Sequence, residues 1–406
     1  MTDSYILTPS GTHLDGFAEV GETVSFFPVL MHSCANRKAY GGLIRWKLVF
    51  NGAETLSEGE FDSSRYSGGV VFRAGRPGYY KAVFEAFRNG QSVAEARIGV
   101  LVRPEVLRPT LPGPEDFDAF WEKQLAELRN VPVAPQLTPL DASGTVAAFD
   151  LQAPCAGDRP VSGIFMRPVN AQRGKHPAIL LPHGAGVRSA GSTRFAAWAA
   201  NGFLALDLNA HGIKNGLDPQ EYEAINQKLG NYPVRGFETG DPEKTYMRNL
   251  FLRVVRALEV LTSMPEWDGR NLWICGGSQG AWQSLAGGAL MKQVSGIAVW
   301  IPAGCDLASG GWPFNSLTGK KELPPELLRT LPYFDGCSFC SRIGEIPVSF
   351  ALGLADEVCR ADGVMAAYNS LKTGTRELSL HYQMGHEFSA SVMASADRFV
   401  RSHLRK

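Results

Sequence analysis

Leu272-Trp273-Ile274-Cys275-Gly276-Gly277-Ser278-Gln279-Gly280-Ala281 is an apolar strand running into a Gly-x-Ser-x-Gly turn, and an Ala/Leu-rich segment with the composition of a helix follows directly. That order is what a nucleophile elbow requires. The serine sits on a sharp turn at the carboxyl end of a strand, and flanking glycines let backbone crowd around it without a Cβ clash. The next N–H groups open a helix, where a developing oxyanion can be stabilised. A Gly/Ser pentapeptide arises easily in a chain with 44 glycines, so the context must separate an elbow from a plain turn.

Around the elbow the chain alternates between strand and helix patterns. Candidate strands cover 146–153, 160–167, 177–182, 203–208, 271–275, 296–301, 347–353 and 377–383. Runs such as Ala178-Ile179-Leu180-Leu181 and Phe203-Leu204-Ala205-Leu206 are continuously apolar, which suits a parallel sheet buried on both faces. Arg248 to Met264 predicts a helix just before the elbow strand. Eight strands with the elbow after the fifth match the order of an α/β-hydrolase, an eight-stranded, mostly parallel sheet.

The first hundred residues read differently. Gly21 to Val29, Ile44 to Phe50, Pro77 to Phe87 and Ala94 to Val102 are short strand patterns, with Asn51-Gly52 and Asn89-Gly90 as hairpin dipeptides. Residues 1–103 are therefore expected to form an immunoglobulin-like β-sandwich. Residues 104–406 are expected to form the α/β-hydrolase domain. Its first stretch, 104–114, carries four prolines and reads as a linker, followed by a helix pattern from Glu115 to Leu125. With 406 residues, two domains is also the better expectation from length alone.

Composition narrows the function. The chain is 44% apolar and 20% charged, and Lys+Arg balances Asp+Glu at 40 each. That leaves no basic field for nucleic acid or anionic membrane. No apolar run reaches the roughly 18 residues of a transmembrane helix. Met1-Thr2-Asp3-Ser4-Tyr5 lacks the basic and apolar regions of a signal peptide, which reads as cytoplasmic for the chain as written. A trimmed periplasmic or secreted form would look the same, so localisation stays open. Seven scattered cysteines do not suggest a disulfide framework. Cys337-Ser338-Phe339-Cys340 has CxxC spacing but no second pair, so two free thiols are expected rather than a metal site.

A serine hydroxyl needs a general base to attack an acyl carbon, and the base needs an orienting acid. In this fold they follow the serine in the order acid, then His. Asp356 lies just past the seventh candidate strand, with Glu357 and Asp362 as competitors for the acid role. His386 lies just past the last strand and leads over the histidines at 13, 176, 183, 211, 381 and 403. The catalytic set is thus Ser278, Asp356 and His386, all beyond carboxyl ends of strands. Oxyanion donors are expected from the backbone of Gln279 and of Ala185, the latter in Pro182-His183-Gly184-Ala185-Gly186 after the third strand. Asn209-Ala210-His211-Gly212 reads as a structured turn beside the rim. Trp282, Trp300 and Trp312 fall near it, more as core than as sugar platforms.

Four stretches carry a family resemblance. Phe117-Asp118-Ala119-Phe120-Trp121, Gly276-Gly277-Ser278-Gln279-Gly280, the region from Tyr333-Phe334-Asp335 through Asp356 to Ala366-Ala367-Tyr368-Asn369, and His386-Glu387 resemble the acetyl xylan esterase/cephalosporin C deacetylase family, carbohydrate esterase family 7. The resemblance spans roughly residues 112–402. It implies a Ser278/Asp356/His386 triad, oxyanion donors at Ala185 and Gln279, and removal of acetyl groups from sugars or similar small esters. It also implies a homo-oligomer, and the serine mechanism read from the residues needs no metal or organic cofactor. The chain departs from the family pattern where Asn209-Ala210-His211-Gly212 stands for Arg-Gly-Gln-Gly, where Ala185 stands for a tyrosine, and in its extra N-terminal sandwich. The rival readings are another α/β-hydrolase (a general carboxylesterase or a prolyl-oligopeptidase-like peptidase) and a catalytically silent carbohydrate-binding protein.

Overall fold

The computed structural model describes residues 5–32, 37–38, 42–64, 68–140, 144–191, 193–317 and 322–405. The N-terminal part holds β1 (Tyr5–Gly11), β2 (Phe17–Ala18), β3 (Thr23–His32), β4 (Arg37–Lys38), β5 (Leu43–Phe50), β6 (Glu54–Asp62), β7 (Val70–Arg73), β8 (Gly78–Arg88) and β9 (Gln91–Val102). One sheet runs β1-β3-β4 with β7 also on β3, and the other runs β2-β9-β8-β5-β6. Leu7, Val24, Phe26 and Leu30 of the first sheet meet Ile44, Leu48, Phe84 and Ile98 of the second in one core. Each such side chain contributes about 1.5–3 kcal/mol by leaving water. Asn51-Gly52 joins β5 to β6 and Asn89-Gly90 joins β8 to β9. All four residues have positive φ, as the tight hairpin turn demands.

The second sheet system has nine strands: β10 (Gln136–Pro139), β11 (Val146–Ala153), β12 (Val161–Pro168), β13 (His176–Pro182), β14 (Leu204–Asn209), β15 (Trp267–Gly277), β16 (Gly296–Trp300), β17 (Val348–Gly353) and β18 (Arg376–His381). Their spatial order is β10-β11-β12-β14-β13-β15-β16-β17-β18. Pairing is antiparallel from β10 to β14 and parallel from β14 to β18. The eight strands expected from sequence all form, and β10 adds a ninth at the edge. With one half-buried apolar residue, Leu137, β10 carries no alternation to reveal it.

Helices α1 (Phe117–Arg129), α2 (Thr193–Ala200), α3 (Pro219–Leu229), α4 (Tyr246–Ser263), α5 (Gln279–Leu290), α6 (Pro325–Thr330), α7 (Gly336–Cys340), α8 (Ala361–Ser370) and α9 (Ala390–Ser402) cover the sheet. Strand side chains divide with period two between its faces. Ala178, Leu180, Leu272 and Ile274 join the core under α4 and α5, whereas Ile179, Leu181, Trp273 and Cys275 join the one under α2 and α9. This two-faced burial explains the continuous apolar runs. The parallel strands all end on one rim, where the loops after β13, β15, β17 and β18 meet. Among the described residues, no helix is long and apolar enough to cross a membrane.

Candidate active site

The elbow forms where β15 ends. Ser278 is held at φ 56°, ψ −125°, a strained conformation for a residue with a side chain. Its N–H donates to Trp300 O, and its own carbonyl accepts the N–H groups of Ala281, Trp282 and Ala303. The motif's two glycines are required by close approach. A Cβ on Gly276 would lie 2.5 Å from the Gly280 carbonyl group, and one on Gly280 would lie 2.4 Å from Pro182 O. The turn is thereby clamped between its own helix and the loop after β13.

Ser278 Oγ lies 2.9 Å from His386 Nε2, and His386 Nδ1 lies 2.9 Å from Asp356 Oδ2. Asp356 is fully buried, and its other oxygen accepts the N–H groups of Val358 (2.7 Å) and Cys359 (2.9 Å). Of the competitors for the acid role, Glu357 pairs with Lys81 and Arg97, and Asp362 pairs with Arg360. The loops bearing Asp356 and His386 are stitched together, since Leu354 N–H donates to His381 O and Ala355 N–H to Met384 O. His183 is near the elbow but directs its Nε2 to the buried Asp207 at 3.0 Å. His381 closes β18, and its Nε2 meets Ser379 Oγ.

Ala185 and Gln279 lie on segments tied together by one phenol. Tyr232 accepts the Gly186 N–H at 3.3 Å and donates to Gln279 Oε1 at 2.6 Å. Gln283 Nε2 adds a bond to His183 O at 2.7 Å. The Gln279 N–H opens α5, where no carbonyl within the helix can accept it. Tyr232 escaped the sequence reading because nothing in Asn231-Tyr232-Pro233 marks it as functional. His211 packs edge-on against Tyr232 and bonds Tyr246 Oη through Nδ1. Burial, reinforced by the Arg253 guanidinium, pushes its pKa down to about 3, so the ring is neutral. It is a structured turn residue, as expected.

Beside the elbow opens a cleft of about 640 Å³ lined by His183, Arg188, Ser189, Gly277, Trp300 and Phe388, among others. Phe388 meets Trp300 edge-on at 6.3 Å. Trp300 is buried, and its indole N–H has no hydrogen-bond partner among the described residues. Trp282, by contrast, is a core residue inside α5 that donates to Phe334 O. Cys337 and Cys340 are free, buried thiols whose pKa values burial raises. Among the described residues, Asp356, Cys359 and His386 are the set whose ligating atoms converge enough for a metal. They fit one poorly. The carboxylate and imidazole already bond each other, and burial holds the Cys359 thiol protonated.

Fold and geometry together define an α/β-hydrolase with a hydrogen-bonded Ser–His–Asp chain at its strand ends. The chain belongs to the acetyl xylan esterase (AXE1) family, whose model matches residues 105–403. It is 34% identical over 270 residues to the acetyl esterase Axe7A of Xylanibacter ruminicola, a match covering 63% of this chain and 60% of that relative's length. Two solved acetyl xylan esterases share the fold at TM-score 0.64. The one from Paenibacillus sp. R4 is 24% identical, covering 74% of this chain and 99% of its own. The one from Thermoanaerobacterium sp. JW/SL YS485 is 23% identical, covering 75% and 98%.

Proposed function

We propose that the protein is a serine esterase that removes acetyl groups from acetylated carbohydrates, such as xylo-oligosaccharides, or similar small esters. The observation that carries this is the unbroken bond chain from Asp356 through His386 to Ser278, 2.9 Å at each link across the imidazole. Ser278 Oγ attacks the ester carbonyl while His386 Nε2 takes its proton. Asp356 holds the imidazole in the tautomer that leaves Nε2 free to accept, and stabilises the imidazolium. Backbone N–H groups of Ala185 and Gln279 receive the oxyanion. The alcohol departs with the proton from His386. Water then attacks the acetyl-enzyme by the same relay and releases acetate.

Acetylated sugar as the substrate class is supported by family membership and by the cleft. Trp300 and Phe388 line it with apolar ring surface, while Arg188 and Ser189 offer polar contacts. In this reading residues 1–103 form the immunoglobulin-like sandwich and 104–406 the hydrolase domain. A homo-oligomer is read from the family and is checked by light scattering. Rates of acetate release from acetylated xylo-oligosaccharides, acetylated monosaccharides and cephalosporin C, set beside acid release from longer acyl esters and amine release from prolyl amides, test the activity. Preference for the acetyl esters is expected. Faster cleavage of prolyl amides or long acyl esters would overturn the reading.

A further inference from the structure

The turn that presents Asp356 is gripped from outside by the N-terminal sheets. Tyr79 of β8 is completely buried, and it packs with the hydrolase core rather than the sandwich core. Its hydroxyl donates to Leu354 O, two residues before Asp356. Strand β9 abuts the same carbonyl so tightly that a Cβ on Gly99 would lie 2.6 Å from it. One residue past Asp356, the Glu357 carboxylate pairs with Lys81 of β8, whose side chain is only 6% exposed. Arg97 of β9 meets the same carboxylate at 3.0 Å. The segment leading to His386 is held too, because Gln383 Nε2 donates to Pro9 O of β1 at 2.5 Å. No comparable bond from residues 5–103 reaches the elbow among the described residues. The grip falls on the acid and base loops.

We infer that the N-terminal β-region is a working part of the catalytic site, with Tyr79, Lys81 and Arg97 as positioning residues that fix the 354–357 turn and so aim the Asp356 carboxylate at His386. This rests on Asp356 being the acid of the proposed triad. It runs against the simpler expectation that a sandwich ahead of a hydrolase is a detachable binding module. A carboxylate on a short loop needs its anchors on both sides. The inner side is supplied by its own turn, through the N–H groups of Val358 and Cys359. The outer side is supplied by a different part of the chain, through one phenol and two cations on Leu354 and Glu357. Loosening them leaves every triad residue in place but lets the carboxylate wander, which costs turnover rather than substrate binding.

The test uses the full chain. Tyr79→Phe removes the hydroxyl donor, and the double variant Lys81→Met/Arg97→Met removes both cations. Each should lower kcat on an aryl acetate by about tenfold or more while KM moves less than about twofold. Lys81→Arg should retain most of the activity. Ile44→Val, in the sandwich core, serves as control and should lower Tm with kcat unchanged. Independently of turnover, the low-field proton NMR resonance of His386 Nδ1–H, identified by its loss in Asp356→Asn, should shift or broaden in Tyr79→Phe and in the double variant. Normal kcat with that resonance unmoved in both would overturn the inference, as would an Ile44→Val loss of kcat equal to theirs. Intact turnover in Asp356→Asn would instead sink the triad reading, and the resonance would still report whether the grip exists.

Discussion

A Cβ placed on Gly353, the last residue of β17, would lie 2.1 Å from the carbonyl oxygen of Met384. The loops bearing Asp356 and His386 therefore touch backbone to backbone, three residues before Asp356 and two before His386. Gly353→Ala should force them apart. Overpacking of this kind typically costs about 1–3 kcal/mol, readable by denaturant titration. kcat should fall more than KM rises, because the 2.9 Å contact between His386 and Asp356 depends on this approach.

Tyr232→Phe removes the hydroxyl that joins Gly186 N–H to Gln279 Oε1. Both proposed oxyanion donors then lose a common strut, although neither N–H is deleted. Deleting a donor outright costs about 100-fold or more in kcat, so a smaller loss, about tenfold, is expected here. Steady-state kinetics on an aryl acetate, with Tm recorded alongside, checks it.

Trp300 walls the cleft beside the elbow and also a second cavity of about 250 Å³ bounded by Trp198, Met393 and Ala396. Trp300→Ala should merge the two and admit longer acyl chains. The ratio of butyrate to acetate hydrolysis should rise about tenfold or more, on the scale of one or two methylenes of pocket discrimination.

His211 gives a pH signature. Folded, it protonates only near pH 3, against 6.5 for an ordinary histidine, because burial and Arg253 oppose the charge. Between those values the unfolded chain binds the extra proton, so stability falls as pH drops below 6.5. By pH 5 the loss from this group is about 2 kcal/mol. His211→Gln should flatten the dependence of unfolding free energy on pH between 7.5 and 5 by that amount. An unchanged slope would contradict the neutral, buried ring.

Much of this architecture was legible in the sequence for physical reasons. Buried parallel strands must be apolar on both faces, and Ala178 to Leu181 and Leu204 to Leu206 advertise that directly. An elbow needs Gly276 and Gly280 for backbone contact, and Asp356 and His386 follow Ser278 in the order the rim dictates. Three features left no such trace. β10 has one half-buried apolar residue and hence no period. Tyr232 acts through a single hydroxyl brought across 47 positions of sequence to Gln279. The grip of Tyr79 on Leu354 spans 275 positions and looks, locally, like any strand tyrosine.

The most direct test of the central claim is the turnover of Ser278→Ala on an acetyl ester, measured beside its thermal transition. A loss of several orders of magnitude with the transition preserved is expected. Turnover within a few-fold of the unaltered protein would contradict it.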